Sequence, residues 1–167
     1  KKNWKTILQE AQKLNLEFNM FEGYTNKKKE FWKGWNIFPL RLYSRDMEAI
    51  KNICPKTYEL IANHPEVITA SFSILEPFKT LSSHKGPYKG FYRYHLGLDI
   101  PGECYIVVDG KRYDWKNGED VMFDDWYEHY AVNNTDKPRL IFFLDIKREF
   151  SNFFLDNFNQ VYLSSLK

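Results

Sequence analysis

The fold is decided by residues 104–123, which read CYIVVDGKRYDWKNGEDVMF. Apolar and polar side chains alternate in three short segments of this stretch, as they do in β-strands with one buried face. The segments are Cys104–Val108, Lys111–Trp115 and Asp120–Phe123. Asp109-Gly110 and Asn117-Gly118 separate them, and such dipeptides favour the tight turns that join antiparallel strands. The stretch therefore predicts consecutive antiparallel strands.

The same alternation extends over most of the chain after residue 66. Further predicted strands are Val67–Leu75, Phe91–Ile100, Tyr127–Val132 and Arg139–Ile146. Seven or so short strands with Gly-containing turns predict a mainly β fold. We expect an antiparallel sandwich, or a jelly roll whose two sheets form an open-mouthed barrel.

Helical patterns flank the predicted strands. Residues 3–15 carry one apolar stripe, Asp46 is a plausible N-cap, and Pro55 suits the first turn of another helix. After residue 147, aromatic residues are typical of a C-terminal helix that covers a sheet face; they are Phe150, Phe153, Phe154, Phe158 and Tyr162. We expect a single domain over residues 1–167, with a helical portion at 1–65, a β core at 66–147 and a C-terminal helix at 148–167.

Composition limits the classes of protein to consider. The 167 residues are 43% hydrophobic and 18% aromatic, which suits one domain with a well-buried core. The net charge of +2 argues against a nucleic-acid partner, which usually requires a strong basic excess. Cys54 and Cys104 form no CxxC pair, and we interpret them as buried thiols in a reducing compartment.

The sequence contains no apolar run of the roughly 18 residues that a membrane helix requires. The chain begins Lys1-Lys2 without a methionine, so we expect it to be a piece of a longer protein. Cytoplasmic location and membrane association through segments elsewhere both stay open.

Three predicted strands carry a short polar face opposite an apolar one. The polar residues are Thr69, Ser71 and Ser73 in the first strand, Arg93 and His95 in the second, and Arg139 at the start of the third. An ordinary sheet with its polar face in water is one interpretation. However, Arg139 opens a run that is apolar on both faces, so its guanidinium needs a partner. The alternative is that the polar faces converge on a ligand cavity at a barrel mouth.

Two histidines, His84 and His129, end or begin strand-like segments beside these polar faces. Neutral imidazoles suit a divalent iron, but the usual iron site adds a carboxylate, and Gly86 stands where that carboxylate would normally be. Spacing alone therefore favours structural histidines over a metal site. Asp124 and Asp125 are interpreted as turn residues, with a carboxylate that orients His129 as the alternative.

Several motifs of the chain resemble the aspartyl/asparaginyl β-hydroxylase family of Fe(II)/2-oxoglutarate dioxygenases. They are HKGPYKGFYRYHLGL at 84–98, WKNGE at 115–119, Phe123-Asp124-Asp125 with Glu128-His129, and RLIF at 139–142. The resemblance extends from about Trp35 to Arg148 in the order of the family. That family includes animal peptide hydroxylases and bacterial lipid A acyl-chain hydroxylases.

The resemblance implies a double-stranded β-helix core, that is, a cupin-like jelly roll, and a role for each polar residue. His84 and His129 would bind Fe(II), and dioxygen would react there. Arg139, helped by the Ser73 hydroxyl, would pair with the distal carboxylate of 2-oxoglutarate. Arg93 and His95 would hold the carboxylate end near the metal. Gly86 matches the peptide hydroxylases, in which the third protein ligand is absent.

The substrate stays open between two classes. Gly86 favours hydroxylation of the β-carbon of an Asp or Asn residue in a peptide or protein, which is our first expectation. Residues 54–57, 108–115 and 129–135 resemble the lipid A enzymes, so 2-hydroxylation of a glycolipid acyl chain is the alternative. A non-catalytic jelly-roll module that binds a ligand is a third possibility, motivated by Gly86. Loops 22–36 and 124–128 are predicted to determine the substrate.

Overall fold

The computed structural model describes residues 1–14 and 33–166. The helices are α1 (Trp4–Ala11), α2 (Ile50–Ile53), α3 (Pro55–Ala62) and α4 (Phe153–Ser165). The strands are β1 (Trp35–Leu42), β2 (Arg45–Asp46), β3 (Val67–Leu75), β4 (Thr80–His84), β5 (Phe91–Asp99), β6 (Cys104–Val108), β7 (Lys111–Asp114), β8 (Asp120–Phe123), β9 (His129–Asn133) and β10 (Arg139–Lys147).

The strands form two antiparallel sheets. The larger sheet has the order β2-β1-β3-β10-β5-β8, and the smaller has the order β4-β9-β6-β7. Asp109 and Gly110 both have positive φ angles, 49° and 74°, as a two-residue hairpin between β6 and β7 requires. The predicted mainly β jelly roll with flanking helices is thereby confirmed.

Two segments of the N-terminal region are strands, namely β1 and the short β2, and Asp46 lies in β2 instead of capping a helix. Residues 35–42, within the portion 1–65 expected to be helical, form β1 and pair with β3 along nearly its whole length. Pro39 lies within β1 at a register shift. A proline disrupts a helix interior, whereas it is tolerated at a bulge or on a little-paired strand edge, and β2 pairs only with the end of β1.

The core has two layers on opposite sides of the larger sheet. The outer layer packs α1 and α3 against even-numbered residues of the sheet such as Phe72, Leu96 and Phe142. The inner layer lies between the sheets and contains odd-numbered residues such as Leu75 and Ile141. The polar faces of β3 and β5 share this odd parity, so they point between the sheets and away from water. The predicted convergence on a cavity is the interpretation that the structure supports.

Helix α4 differs from the expected cover of a sheet face. Asn152 caps it by accepting hydrogen bonds from the backbone N–H groups of Phe154 and Leu155. Of its side chains only Asn159 and Leu163 are buried. The apolar residues surround the helix, so a single face cannot bury them all, and Phe153, Phe154 and Phe158 remain exposed.

Among residues 1–14 and 33–166, no helix is long and apolar enough to cross a membrane.

Candidate active site

The six predicted site residues surround one cavity between the sheets. Ser73, Arg93, His95 and Arg139 enter it from the larger sheet, and His84 and His129 enter it from the smaller. Much of the remaining wall is aromatic or aliphatic, and it includes Trp35, Leu81, Ile106, Trp115, Phe123 and Phe143. Tertiary folding therefore brings together residues that the sequence places up to 66 positions apart, from 73 to 139.

The two histidines are cross-strand neighbours. His84 at the end of β4 pairs with His129 at the start of β9, and their ring centroids are 4.2 Å apart. Nδ1 of His84 lies 2.8 Å from the Ser82 carbonyl oxygen, and Nδ1 of His129 lies 2.8 Å from that of Tyr127. A carbonyl oxygen only accepts, so both Nδ1 atoms carry the proton, and in the neutral rings both Nε2 atoms present a lone pair.

Burial lowers the pKa of both imidazoles. For His84 the nearby His129 adds to this effect, while the Ser82 carbonyl opposes it. For His129 the Arg93 guanidinium adds to it, while the Tyr127 carbonyl opposes it. Both rings are therefore held in the neutral form that binds a metal ion.

Asp125 places a carboxylate beside this pair. Its side chain is fully buried, and Oδ1 lies 3.2 Å from His129 Nε2 and 3.0 Å from Arg93 Nη1. Neither contact has hydrogen-bond geometry, so among the described residues both carboxylate oxygens lack a hydrogen-bond partner. Burial raises the pKa of Asp125, although Arg93 counteracts that rise.

The space for this carboxylate exists because residue 86 is glycine. A Cβ atom on Gly86 would lie 1.7 Å from Asp125 Oδ2 and 2.4 Å from its Cγ. The Asp125 carboxylate thus occupies the volume that a side chain at position 86 would fill. Within the described parts of the chain, no three His, Cys, Asp or Glu side chains are arranged as a complete metal site. A metal here would be held by two imidazoles, with Asp125 adjacent to them.

Arg93 joins the carboxylates on either side of it. Its Nε and Nη2 donate to Asp145 Oδ1 at 3.0 and 2.9 Å, and Asp145 is its cross-strand partner on β10. The guanidinium also lies over the Phe143 ring, 4.3 Å from its centroid. Burial raises the pKa of Asp145, and Arg93 opposes that rise.

Arg139 is a buried cation with no carboxylate partner in the part of the chain that the structure describes. It is 2% exposed, and its Nε and Nη1 find no hydrogen-bond partner among the described residues. Its guanidinium lies 4.6 Å from the Trp115 ring centroid. Burial lowers the pKa of Arg139, which indicates an environment that lacks a compensating anion. The neighbouring Ser73 hydroxyl accepts a hydrogen bond from Trp35 Nε1 at 2.8 Å.

His95 lies between these two arginines in an aromatic enclosure. Neither ring nitrogen has a hydrogen-bond partner within the described residues. Trp115, Phe123 and Phe143 have ring centroids 5.7, 5.1 and 5.5 Å from it. Burial lowers its pKa well below the ordinary value, and Arg93 and Arg139 lower it further. The cavity thus combines a cation and a neutral imidazole that lack acceptors, as a site for a small diacid requires.

Sequence reasoning gave too little weight to two carboxylates, Asp125 and Asp145, that contact Arg93 in the cavity wall. Asp124 is the turn residue, since its Oδ1 accepts from the Trp126 N–H and its Oδ2 pairs with Arg148. Asp125 is the inward carboxylate, which the sequence treated only as an alternative. Asp145 was also missed, although a single acid within the apolar run of β10 is a recognisable signal. Residues 22–32 of the predicted substrate loops lie outside the described residues.

Comparison with known proteins gives a family match over most of the chain. The family described as aspartyl/asparaginyl β-hydroxylase matches residues 1–149. An ornithine lipid ester-linked acyl 2-hydroxylase of Rhizobium tropici is 41% identical over 114 residues, which are 66% of this chain and 41% of that protein. Aspartate β-hydroxylase domain-containing protein 2 of Xenopus tropicalis is 31% identical, over 86% of this chain and 42% of that protein.

The human aspartyl/asparaginyl β-hydroxylase is 31% identical, over 87% of this chain and 20% of that protein. The chain therefore spans less than half the length of these relatives. Among solved structures, a cupin domain of a transcriptional regulator from Enterobacter cloacae is similar, with a TM-score of 0.49 and 16% identity over 70% of this chain and 100% of that chain.

Proposed function

Because the chain belongs to the aspartyl/asparaginyl β-hydroxylase family, we propose that it is an Fe(II)- and 2-oxoglutarate-dependent dioxygenase that hydroxylates an unactivated C–H bond. The observation that carries the proposal is a buried cation in the same cavity as two adjacent neutral imidazoles. The Arg139 guanidinium is buried, and its Nε and Nη1 have no hydrogen-bond partner among the described residues. It shares the cavity with the two imidazoles, which carry their protons on Nδ1.

The fit of a cation follows from the contact between His129 and Asp125. With its proton on Nδ1, neutral His129 directs an Nε2 lone pair toward a carboxylate oxygen 3.2 Å away. Two acceptors at this distance repel each other unless a proton or a cation lies close to both. A divalent metal ion held by the Nε2 atoms of His84 and His129 would remove that repulsion.

A bound ferrous ion supplies the oxidising chemistry, in which O₂, 2-oxoglutarate and a C–H bond give an alcohol, succinate and CO₂. The protein's part is to bind and orient. In the proposal, Arg139 and Ser73 bind the distal carboxylate of 2-oxoglutarate, and His95 and Arg93 hold the carboxylate near the metal. Arg93 reaches that carboxylate by giving up its contact with Asp125, because Asp145 occupies its other edge.

Entry of 2-oxoglutarate requires movement of the walls. The cavity measures about 30 Å³, which is room for about two water molecules. The wall residues Leu81, Ile106 and Phe123 are apolar, so they occupy space in the cavity but have no group that would bind a diacid. We propose that they move apart on binding and afterwards exclude water from the site.

Two substrate classes remain candidates, each with a specific observation. Gly86 and the names of several relatives favour an Asp or Asn residue in a peptide or protein. The 41% identity to an ornithine lipid acyl 2-hydroxylase favours an acyl chain of a lipid. Both reactions require the same metal and cosubstrate arrangement.

The experiment is a thermal-shift titration with Mn(II) and 2-oxoglutarate. We expect 2-oxoglutarate to raise the melting temperature only when the divalent metal is present, and we expect the double variant His84→Ala/His129→Ala to lose this response. His64→Ala, which removes an exposed histidine beside Glu66, is the matched control and should respond like the wild type. If the double variant responds as strongly as the wild type, the metal assignment is wrong. Stabilisation by a peptide or sugar alone would instead support a non-catalytic binding module.

A further inference from the structure

Helix α4 presents an exposed apolar stripe. Phe154, Phe158 and Val161 follow one another at intervals of four and three residues, so they lie on one helix face. They are 80%, 64% and 71% exposed, and Phe153 and Leu155 extend the apolar surface at the start of the helix. Large exposed apolar patches on a protein mark an interaction site. The family match ends at residue 149, before this helix begins.

The helix itself carries almost no charge. Asp156 is its one charged residue between Phe153 and Ser165. That carboxylate accepts hydrogen bonds from the Phe150 N–H and the Gln160 side chain. The apolar stripe is therefore not interrupted by a charged side chain that would have to be desolvated on contact with an apolar phase.

The stripe is continuous with the segment that follows the candidate metal ligand His84. Phe158 stacks on Tyr162, with ring centroids 6.3 Å apart, and Tyr162 lies 4.4 Å from Tyr88. The Tyr88 hydroxyl donates to Asn159 Oδ1, and Asn159 donates to the Gly90 carbonyl. The helix is thus fixed to the loop between β4 and β5.

A second loop extends the same surface toward the cavity. Lys89 Nζ lies 4.9 Å from the ring centroid of Trp126, which directly follows the buried Asp125. Trp126 and Tyr127 are 39% and 51% exposed, and Lys85 is exposed as well. We call the exposed residues of α4, together with residues 85–89 and 126–127, the docking face. It adjoins the loops that carry His84 and Asp125.

The lysines of the docking face favour a lipid surface over a protein partner, whereas its aromatic residues suit either. Lysine is depleted at protein–protein interfaces. Trp, Tyr and Lys beside large apolar side chains are instead the residues that lie at the interface of a bilayer, where lysine reaches anionic head groups. Of the nearby acids, Asp124 is paired with Arg148 and Glu128 accepts from the Ser83 hydroxyl, while Glu149 is exposed.

We propose that the docking face rests on an anionic membrane surface, with α4 inserted among the lipid head groups and the candidate active site directed at the bilayer. Apolar burial provides most of the binding, and Lys85 and Lys89 provide a preference for anionic lipid. If the proposed hydroxylase function holds, on which this consequence rests, the substrate is an acyl chain of a membrane lipid. An acyl chain would then reach the site without crossing water.

The test is co-sedimentation of the purified chain with vesicles of phosphatidylcholine, with and without phosphatidylglycerol. No metal or 2-oxoglutarate is added, so a failure of the hydroxylase proposal would leave this result unaffected. We expect the wild type to bind and to prefer the phosphatidylglycerol vesicles. Phe154→Ser/Phe158→Ser should reduce partitioning by about tenfold or more per phenylalanine, since each burial is lost. Lys85→Gln/Lys89→Gln should reduce the anionic preference by about fivefold per lysine.

The matched control is Phe78→Ser. Phe78 is 71% exposed and lies beyond the end of β3 at Leu75, whereas the C-terminal part of α4 packs near Ile68 at the start of β3. This variant loses the same type of side chain at the opposite end of the strand and should bind like the wild type. Circular dichroism of each variant checks the fold.

Three outcomes would overturn the proposal. The wild type could fail to bind either vesicle, or the Phe154→Ser/Phe158→Ser variant could bind as well as the wild type. Alternatively, sedimentation velocity could show that the wild type is a dimer and that this variant is a monomer, with no vesicle binding by either. The docking face would then be an interface between two copies of the chain.

Discussion

Replacement of Gly86 by alanine should destabilise the protein through the buried carboxylate of Asp125. The new Cβ would lie 1.7 Å from Asp125 Oδ2, so the carboxylate has to move. The displaced carboxylate would lose its contact with Arg93, whose Nη1 lies 3.0 Å from Asp125 Oδ1 in the wild type. Disruption of a buried ion pair costs about 3–5 kcal/mol. The φ angle of Gly86 is not positive, so the added methyl group introduces no backbone strain.

A double-mutant cycle separates this clash from a general effect of the methyl group. Asp125→Ala alone should cost only about 0–2 kcal/mol, because it removes a carboxylate whose pKa is raised by burial and leaves Arg93 paired with Asp145. In Gly86→Ala/Asp125→Ala the two shortest contacts of the methyl group are removed, and the third, to the backbone oxygen of residue 125, is 3.0 Å long. We expect the double variant to be more stable than Gly86→Ala, with a coupling energy of about 2–4 kcal/mol.

The assay is urea denaturation of the four proteins, followed by circular dichroism in the presence of a chelator. The linear extrapolation gives each free energy of unfolding if the m-values agree. Additive costs, or a Gly86→Ala protein within about 0.5 kcal/mol of the wild type, would refute the conclusion that the Asp125 carboxylate occupies the space beside Gly86.

Three further predictions concern Arg139, the buried histidines and the contacts of Asn159. Arg139→Lys keeps the charge but loses the planar guanidinium group that can bind both oxygens of a carboxylate. The affinity for 2-oxoglutarate, measured by calorimetry with Mn(II), should therefore fall by roughly ten- to a hundredfold. Unchanged affinity would exclude Arg139 from the cosubstrate site. The pKa values of His84, His95 and His129 are lowered in the folded protein, so the unfolded chain binds more protons than the folded one as the pH falls below about 6.5. Urea midpoints should therefore decrease from pH 7.5 to pH 5.5, until Asp125 and Asp145 begin to protonate. His95→Phe should show a smaller decrease, and an equal decrease would contradict this explanation. Asn159→Leu removes one acceptor and two donors, and it should destabilise the protein by about 2–4 kcal/mol in thermal unfolding, whereas the exposed Asn157→Leu should have little effect.

The strands could be predicted because alternation and turn chemistry are local signals. Asp109-Gly110 has the positive φ angles that its sequence favours, and β6 and β8 have the predicted bounds. Strand β1 was missed because Trp35–Leu42 carries apolar residues on both faces and contains Pro39. Its pairing with β3, which fixes it as a strand, joins residues from 29 positions apart (Arg41 and Ala70) to 40 positions apart (Trp35 and Leu75).

The candidate site depended on information that no local pattern contains. Asp124 and Asp125 are adjacent and chemically identical, so only the positions of Arg93 and Arg148 decide which side chain points inward. The apolar residues of α4 likewise surround the helix, and the sequence does not state which of them meet the sheet. His84 and His129 become neighbours only through the register of β4 and β9.

The hydrogen bonds of the two imidazoles have an evolutionary consequence. Each Nδ1 proton is donated to the carbonyl of the residue two positions earlier in the chain, so each ring is oriented by the backbone next to it. No side chain elsewhere in the cavity is needed to set the tautomer. Residues that shape the mouth can therefore change without disturbing the orientation of the proposed metal-binding pair.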